Sequence, residues 1–253
     1  MDTLERIITR FTRALDSYDA QAVAQQQICR RLIALLHAYS DGHFQRALEI
    51  GCVTGGFTRL MKEGCSINEW YLNDLCEGCR ERVTGLFPEQ QPVFIAGNAE
   101  TTEFPGLFNL IASASAFQWI EHPRGFLHRL RAKLSHKGLL LFNTFTPDNL
   151  REIRLLTGKG LNYPTTGQLT EWLRRDYHIL HLEEEKITLS FNSPMDVLRH
   201  LKSTGVTATG GEHWMRRQQT DFCRRYAEGF STPDNKVTLT YCPLYVVAEG
   251  KNE

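Results

Sequence analysis

The sequence predicts an α/β fold: a parallel sheet with right-handed crossovers, finished by an antiparallel pair. Three observations carry this. Short apolar runs of strand length alternate with segments of helical period between residues 46 and 145. Glycine-bearing turns follow the first and third of those runs, at 51–56 and 97–98. A further apolar run at 237–247 is set apart from the others by helical stretches. Strands spaced this way form βαβ units, whose crossovers have a fixed hand.

The elements follow in order. Leu4, Ile7, Ile8, Phe11, Ala14 and Leu15 repeat at the spacing of one buried helix face. Ser17 or Asp19 can cap a second helix over 20–36, closed by Ser40-Asp41-Gly42. Residues 46–50 then read as a buried strand, 51–56 as a turn and the stretch ending near Gly64 as a short helix. Strands are expected at 70–72, 93–95, 108–113 and 139–145, and helices at 77–86 and 123–134. Beyond Pro147 come short helices at 150–156 and 169–176, a strand at 187–191, helices at 195–203 and 218–228, and a final strand over 237–247.

With no internal repeat, low-complexity tract or linker, 1–253 reads as a single domain. It divides into an N-terminal helical segment (1–40), a ligand-binding core (41–146), a helical lid insertion (147–178) and a C-terminal segment completing the sheet (179–253).

Lys plus Arg and Asp plus Glu each total 29, for a net charge of zero. That argues against dedicated nucleic-acid binding and against a polybasic membrane-surface protein. Hydrophobic residues at 42% and charged residues at 23% are ordinary globular values. No apolar run approaches the ~20 residues of a membrane helix. The opening Met1-Asp-Thr-Leu-Glu-Arg puts charges where a signal peptide needs apolar residues. The seven cysteines are odd in number and irregularly spaced, so a reduced, soluble, cytoplasmic monomer is expected. Cys76-Glu-Gly-Cys79 has no second pair at matching spacing, so no metal is expected.

The chemical signal lies at the ends of three predicted strands. Glu49-Ile50-Gly51-Cys52-Val53-Thr54-Gly55 closes the first; its glycines either admit a ligand close to the backbone or simply make a tight turn. Asp74, 25 residues beyond Glu49, can accept both ribose hydroxyls of a nucleoside, or cap the following helix. Gly97-Asn98-Ala99-Glu100 follows the third strand, where a short amide could bond an adenine edge and a plain turn serves equally well. Together the three put polar groups at the carboxyl ends of adjacent parallel strands, where open α/β sheets bind ligands. The turn lacks Gly-x-Gly-x-x-Gly spacing and an adjoining basic group for phosphate, which disfavours a nicotinamide cofactor.

In order and spacing, these motifs resemble the S-adenosylmethionine-dependent methyltransferases of the Rossmann-like class. The resemblance is more specific elsewhere. Phe11-x-x-Ala14-x-x-x-Tyr18-Asp19-x-x-Ala22-x-x-Gln25 and the Phe117-Gln118-Trp119-Ile120 segment are similar to the malonyl-[acyl-carrier-protein] O-methyltransferases of biotin synthesis. So are Gly138-Leu-Leu-Leu-Phe142-x-Thr-Phe145, Leu150-Arg-Glu152-Ile153, His200-Leu-Lys202-x-Thr-Gly205 and Leu239-Thr-Tyr241-x-Pro243-Leu-Tyr245. The resemblance implies a class I methyltransferase fold: a mostly parallel seven-stranded sheet with an antiparallel last strand, N-terminal helices and a helical insertion over the site. It implies S-adenosylmethionine as cofactor and methylation of the free carboxylate of malonyl-acyl-carrier protein or malonyl-CoA. The alternatives are another small carboxylate as acceptor, a catalytically degenerate cofactor-binding protein, or a tRNA-modifying enzyme, the last disfavoured by the charge balance.

Cofactor contacts are implied for Tyr18, Gln25, Glu49, Gly51, Cys52, Gly55, Asp74, Leu75, Asn98, Ala99 and Ser113. Acceptor contacts are implied for Gln118 and Trp119, with Arg154 and Lys202 as candidate cations and nothing to choose between them. Each has a plainer reading, packing for Tyr18 and Trp119, solvation for Gln25, Arg154 and Lys202. A malonyl carboxylate has a pKa of about 4, so it is already ionised and no general base is expected. Tyr18 is expected to position the reacting groups. The sequence departs from the family at Val53, where glycine is usual; a β-branched residue disfavours positive φ, so either φ stays negative and binding is retained, which Gly51, Gly55 and Asp74 favour, or affinity for the cofactor is reduced. Six basic residues against Glu212 and Asp221 between 199 and 225 suggest a docking face for an acidic carrier protein.

Overall fold

In the computed structural model, residues 9, 12, 18, 19, 21–205 and 216–251 are described. The apolar face at Leu4, Ile7, Ile8, Phe11, Ala14 and Leu15, the Ser17 cap and residues 206–215 lie outside them.

In chain order the elements are α1 (Val23–Tyr39), β1 (His43–Ile50), α2 (Gly56–Gly64), β2 (Ser66–Asp74), α3 (Arg80–Thr84), β3 (Val93–Ala96) and β4 (Phe108–Ser113). They continue with α4 (Pro123–Arg131), β5 (Leu134–Phe145), α5 (Arg151–Thr157), α6 (Thr166–Asp176), β6 (Tyr177–Glu184) and β7 (Ile187–Phe191). The last are α7 (Pro194–Ser203), α8 (Arg216–Phe230), β8 (Val237–Tyr241) and β9 (Pro243–Gly250). Two compact units share the chain. The larger takes Gln25–Thr144, Pro164–Glu184 and Leu244–Glu253; the smaller takes Met1–Ala24, Phe145–Tyr163 and Glu185–Pro243. The stretch expected as one lid, 147–178, is thus divided between them at Tyr163.

The larger unit is built on a seven-stranded sheet in the order β3-β2-β1-β4-β5-β9-β6. Pairing is parallel between β3 and β2, β2 and β1, β1 and β4, and β4 and β5; β9 runs antiparallel to β6. The last four residues of β1, Ala47 to Ile50, are all buried, as a strand covered on both faces requires. Phe126, Leu127 and Leu130 of α4 and Leu169 and Leu173 of α6 join Leu48, Ile111, Leu140 and Phe142 of the sheet in one apolar core. Phe117 stacks on Phe142 with ring centroids 4.0 Å apart. Register places Glu49 of β1 beside Leu72 of β2 and Ala112 of β4, so these strands end level with one another.

The smaller unit contains a two-stranded antiparallel sheet in which Ile187 pairs with Tyr241 and Phe191 with Val237. Around it α5 packs on α8 and β8, and α7 on β7 and α8. The buried Glu152 of α5 accepts from Thr240 Oγ1 at 2.6 Å and the Thr240 N–H at 3.2 Å, tying helix to strand. Tyr18 and Asp19 are helical, and the Ala22 N–H donates to the Tyr18 carbonyl at 2.8 Å.

Several boundaries differ from expectation. The helix expected at 77–86 is a 3-10 turn followed by the short α3, because Gly78 and Gly85 weaken helix at both ends. Strand β5 begins at Leu134, absorbing Lys137-Gly138 with Lys137 at φ 55°, so α4 stops at Arg131. The single strand expected over 237–247 is two strands in different sheets, broken at Cys242 just before Pro243. Strand β6 follows the expected helix directly; only its far end, at Glu183-Glu184, was expected to be a strand edge, and its first two residues fell inside the expected lid. No described helix is long and apolar enough to cross a membrane.

Candidate active site

The turn after β1 is shaped by two glycines at positive φ, where a side chain would be strained and crowded. Gly51 has φ 76°, and a Cβ there would lie 2.4 Å from the Ala116 Cβ. Gly55 has φ 81°, and its Cβ would lie 2.6 Å from Leu86 Cδ1. The N–H groups of Gly51 and Cys52 both donate to the Asn73 carbonyl, at 2.8 and 3.1 Å, pinning the turn to the end of β2.

Val53, between the glycines, corrects the sequence expectation: its φ is 47°, not negative. The left-handed backbone is retained without glycine because the Val53 N–H is drawn to Asp74 Oδ2 at 2.9 Å. The Cys76 N–H donates to Asp74 Oδ1 at 2.8 Å, and the Cys79 thiol also bonds this carboxylate. Burial nevertheless holds the Asp74 carboxyl above its usual pKa, against those hydrogen bonds. Each oxygen keeps acceptor capacity beyond its backbone bond.

Glu49 lies fully inside, accepting from Thr58 Oγ1 at 2.6 Å. Burial pushes its carboxyl up to about 8; the Thr58 hydrogen bond opposes this and the charge of Asp74 adds to it. The Cys52 thiol is likewise raised by burial and by Asp74. Leu75 is half-buried. The Asn98 side chain accepts from the Glu100 N–H at 3.0 Å, and Ala99 sits in the apolar core. Ser113 Oγ donates to the Ile50 carbonyl at 2.8 Å, locking β4 to β1.

Beyond β4 the chain turns through Ser115, at φ 54°, whose N–H donates to Asn143 Oδ1 at 2.8 Å. Gln118 Nε2 donates to the Ser115 carbonyl at 2.6 Å, which leaves Gln118 Oε1 buried with no partner among the described residues. Ser115 Oγ and, in α1, Gln25 Oε1 are likewise buried without partners among the described residues. Trp119 is half-buried beside Gln118. Sequence reasoning missed Asn73, Ser115 and Asn143, although an asparagine inside the apolar run 139–145 was a readable signal.

The structure thus brings together, in the larger unit, Glu49, Gly51, Cys52, Gly55, Asp74, Ser113 and Gln118 around neighbouring strand ends, with Gln25 in the same unit. Tyr18, half-buried, belongs to the smaller unit with Arg154 and Lys202. Lys202 is exposed near the end of α7; Arg154 is half-buried on α5. Among the described residues no group of three His, Cys, Asp or Glu side chains could hold a metal ion. His200 is buried against the Tyr241 hydroxyl at 2.9 Å, and burial pulls its pKa down to about 4, which fits a structural role.

A family profile described as a methyltransferase domain matches residues 21–203. Over 248 residues the chain is 47% identical to the malonyl-[acyl-carrier protein] O-methyltransferase of Porphyromonas gingivalis, spanning 97% of this chain and 95% of that protein. The chain belongs to the malonyl-[acyl-carrier protein] O-methyltransferase family. A family member of Haemophilus influenzae is 41% identical, over 96% of this chain and 93% of its own. Among solved structures, the N-methyltransferase NodS of Bradyrhizobium japonicum, in complex with S-adenosyl-L-homocysteine, matches with a TM-score of 0.57 at 14% identity. That match covers 98% of this chain and all of NodS, and it speaks to the fold. The fold is that of the class I S-adenosylmethionine-dependent methyltransferases, with the expected antiparallel finish to its sheet. The protein is an enzyme that transfers methyl groups.

Proposed function

We propose that the protein uses S-adenosylmethionine to methylate the free carboxylate of malonyl-acyl-carrier protein, or of malonyl-CoA, giving the methyl ester at an early step of biotin synthesis. The observation that carries this reading is near-full-length identity of 47% to a relative named for the reaction.

The residues at the strand ends fit the cofactor. Gly51 and Gly55 hold, at positive φ, a tight turn packed against Ala116 and Leu86, and that turn sits at the carboxyl end of β1, where open α/β sheets bind ligands. Asp74 supplies acceptors for a ribose diol, and the unpartnered Gln25 Oε1 supplies one for an ammonium group. Glu49, Cys52, Leu75, Asn98, Ala99 and Ser113 complete the proposed surroundings. When bound, S-adenosylmethionine supplies an electrophilic methyl on a sulfonium. Gln118, whose free oxygen lies after β4, and Trp119 are assigned to the acceptor side. Tyr18 is proposed to position the reacting groups. Arg154 or Lys202 is proposed to hold the acceptor's carboxylate.

No general base enters, because the carboxylate reaches the site ionised. Rate enhancement comes from alignment and removal of water, effects that can supply up to roughly 7–11 kcal/mol. Arg216 and Arg217, exposed at the start of α8, are proposed to meet an acidic carrier protein. Other bases of the 199–225 stretch are partly spent: Arg199 pairs with Asp196, and Arg224 with Asp221 and Glu228.

The test offers the purified enzyme malonyl-carrier protein, malonyl-CoA and free dicarboxylates with methyl-labelled cofactor. Ester on a malonyl thioester supports the reading; labelling confined to a different carboxylate refutes it.

A further inference from the structure

The segment between β5 and the end of the loop after α5 gathers hydrogen-bond donors that the described chain leaves without acceptors. Asn149 is buried, and its Oδ1 accepts from the Cys242 N–H at 3.1 Å. Its Nδ2 therefore faces the other way and donates to the Tyr163 hydroxyl oxygen at 2.9 Å. Because that oxygen acts as acceptor, the phenolic proton is unspent. The Tyr163 ring is fixed edge-on to Phe145, with centroids 6.0 Å apart.

Arg154 stands nearby. Its stem lies over Gly160, where a Cβ would come within 3.6 Å of Arg154 Cδ. One guanidinium N–H is given to the Pro147 carbonyl, and no carboxylate pairs with this arginine among the described residues. Burial raises the pKa of Tyr163, while the Asn149 hydrogen bond and the Arg154 charge lower it; the balance keeps the phenol a donor at neutral pH. The cluster therefore offers a half-buried positive charge and directed N–H and O–H groups, and its acceptors, Asn149 Oδ1 and the Tyr163 oxygen, are already engaged within it. Chemistry of that kind recognises an anion with two oxygens, which a guanidinium can bond through parallel N–H groups.

We propose that Arg154 and Tyr163 form a binding subsite for the carboxylate of the acceptor, with Asn149 as the positioning residue that aims the Tyr163 hydroxyl. The proposal rests on the reading of a malonyl thioester as acceptor, and it selects Arg154 over the exposed Lys202.

The test compares malonyl-CoA with its neutral amide analogue, whose terminal carboxylate is replaced by a carboxamide. KM is measured for the first and the inhibition constant for the second, in wild type, Tyr163→Phe, Arg154→Gln and Asn149→Asp. Asn149→Asp keeps the acceptor for Cys242 but turns the phenolic proton inward. Charge-assisted hydrogen bonds predict that Arg154→Gln loses preference for the anion by about tenfold or more and Tyr163→Phe by a smaller factor. Asn149→Asp is expected to match or exceed the Tyr163→Phe loss, while all three variants keep wild-type cofactor affinity by calorimetry.

A wild type that forms no ester from any malonyl thioester overturns the acceptor reading itself. A wild type that does, with an unchanged anion preference in folded Tyr163→Phe, overturns the subsite and leaves the acceptor reading standing. Tyr163→Phe removes a single oxygen, so it carries the test even where Arg154→Gln fails to fold. Loss of stability in Asn149→Asp with the anion preference intact overturns its positioning role.

Discussion

Val53 offers a measurement of what a glycine motif gains from its glycines. It is half-buried, holds φ 47° and donates its N–H to Asp74. Replacing it by alanine or glycine removes the isopropyl group in both cases, so the two variants differ from each other mainly in backbone preference. An L residue in the left-handed region costs about 1–2 kcal/mol, a cost that alanine keeps and glycine escapes. Glycine gives back about 0.4–1 kcal/mol through the greater freedom of its unfolded chain. The difference leaves Val53→Gly more stable than Val53→Ala by roughly 0.5–1 kcal/mol, the reverse of the order in a helix. For a chain of this size that separates the two melting temperatures by roughly 1–4 °C. Thermal unfolding of both variants without ligand, with calorimetric cofactor affinity alongside, reads it directly. Glycine is also expected to bind the cofactor at least as tightly as alanine, because the Asp74 hydrogen bond survives in both. Val53→Ala melting at or above Val53→Gly would show that backbone strain does not govern this turn.

Further outcomes are expected. Glu49, with its pKa raised from 4.5 to about 8, is mainly protonated at neutral pH in the free enzyme, so its contribution to stability is full below 4.5 and fades as pH rises through 8. A cationic ligand favours its ionised form, so cofactor binding should release protons between pH 6 and 8 and tighten as pH rises (both limits approximate, set by that pKa); calorimetric heats independent of buffer ionisation enthalpy would contradict this. Reversing Arg216 and Arg217 to glutamate should raise KM for malonyl-carrier protein and leave malonyl-CoA unaffected, and equal effects on both would remove the docking assignment. Tyr18→Ala should slow methyl transfer more than Tyr18→Phe, whereas two unchanged rates would take Tyr18 out of the site.

What the sequence made readable follows from how strongly each element is constrained by its own residues. The run 46–50 and its glycine turn were legible because a central parallel strand is apolar on both faces and must end where a helix begins. Strand β6 was not, because histidines and glutamates interrupt its apolar residues. The break at Cys242 was hidden because β8 and β9 are both buried, and only Pro243 marked where one pairing stops. Within the site, single residues with distinctive chemistry such as Asp74 and Gly51 were legible. Ser115 and Asn143 were not, because their meeting spans 28 positions and is decided by the turn between them. Val53 shows a further limit: side-chain preference indicated one backbone conformation, and a hydrogen bond to a distant carboxylate selected another.

The place of β9 in the sheet has a consequence for biosynthesis. It is the last strand in chain order, yet it lies between β5 and β6 and not at an edge. While a ribosome is still translating the segment before residue 243, two earlier strands wait with bare edges for a neighbour not yet made. Exposed edges of this kind pair readily with other chains. A nascent chain stalled before Pro243 would therefore be a target for chaperones or aggregation, and its last eight-residue strand decides when the sheet can close.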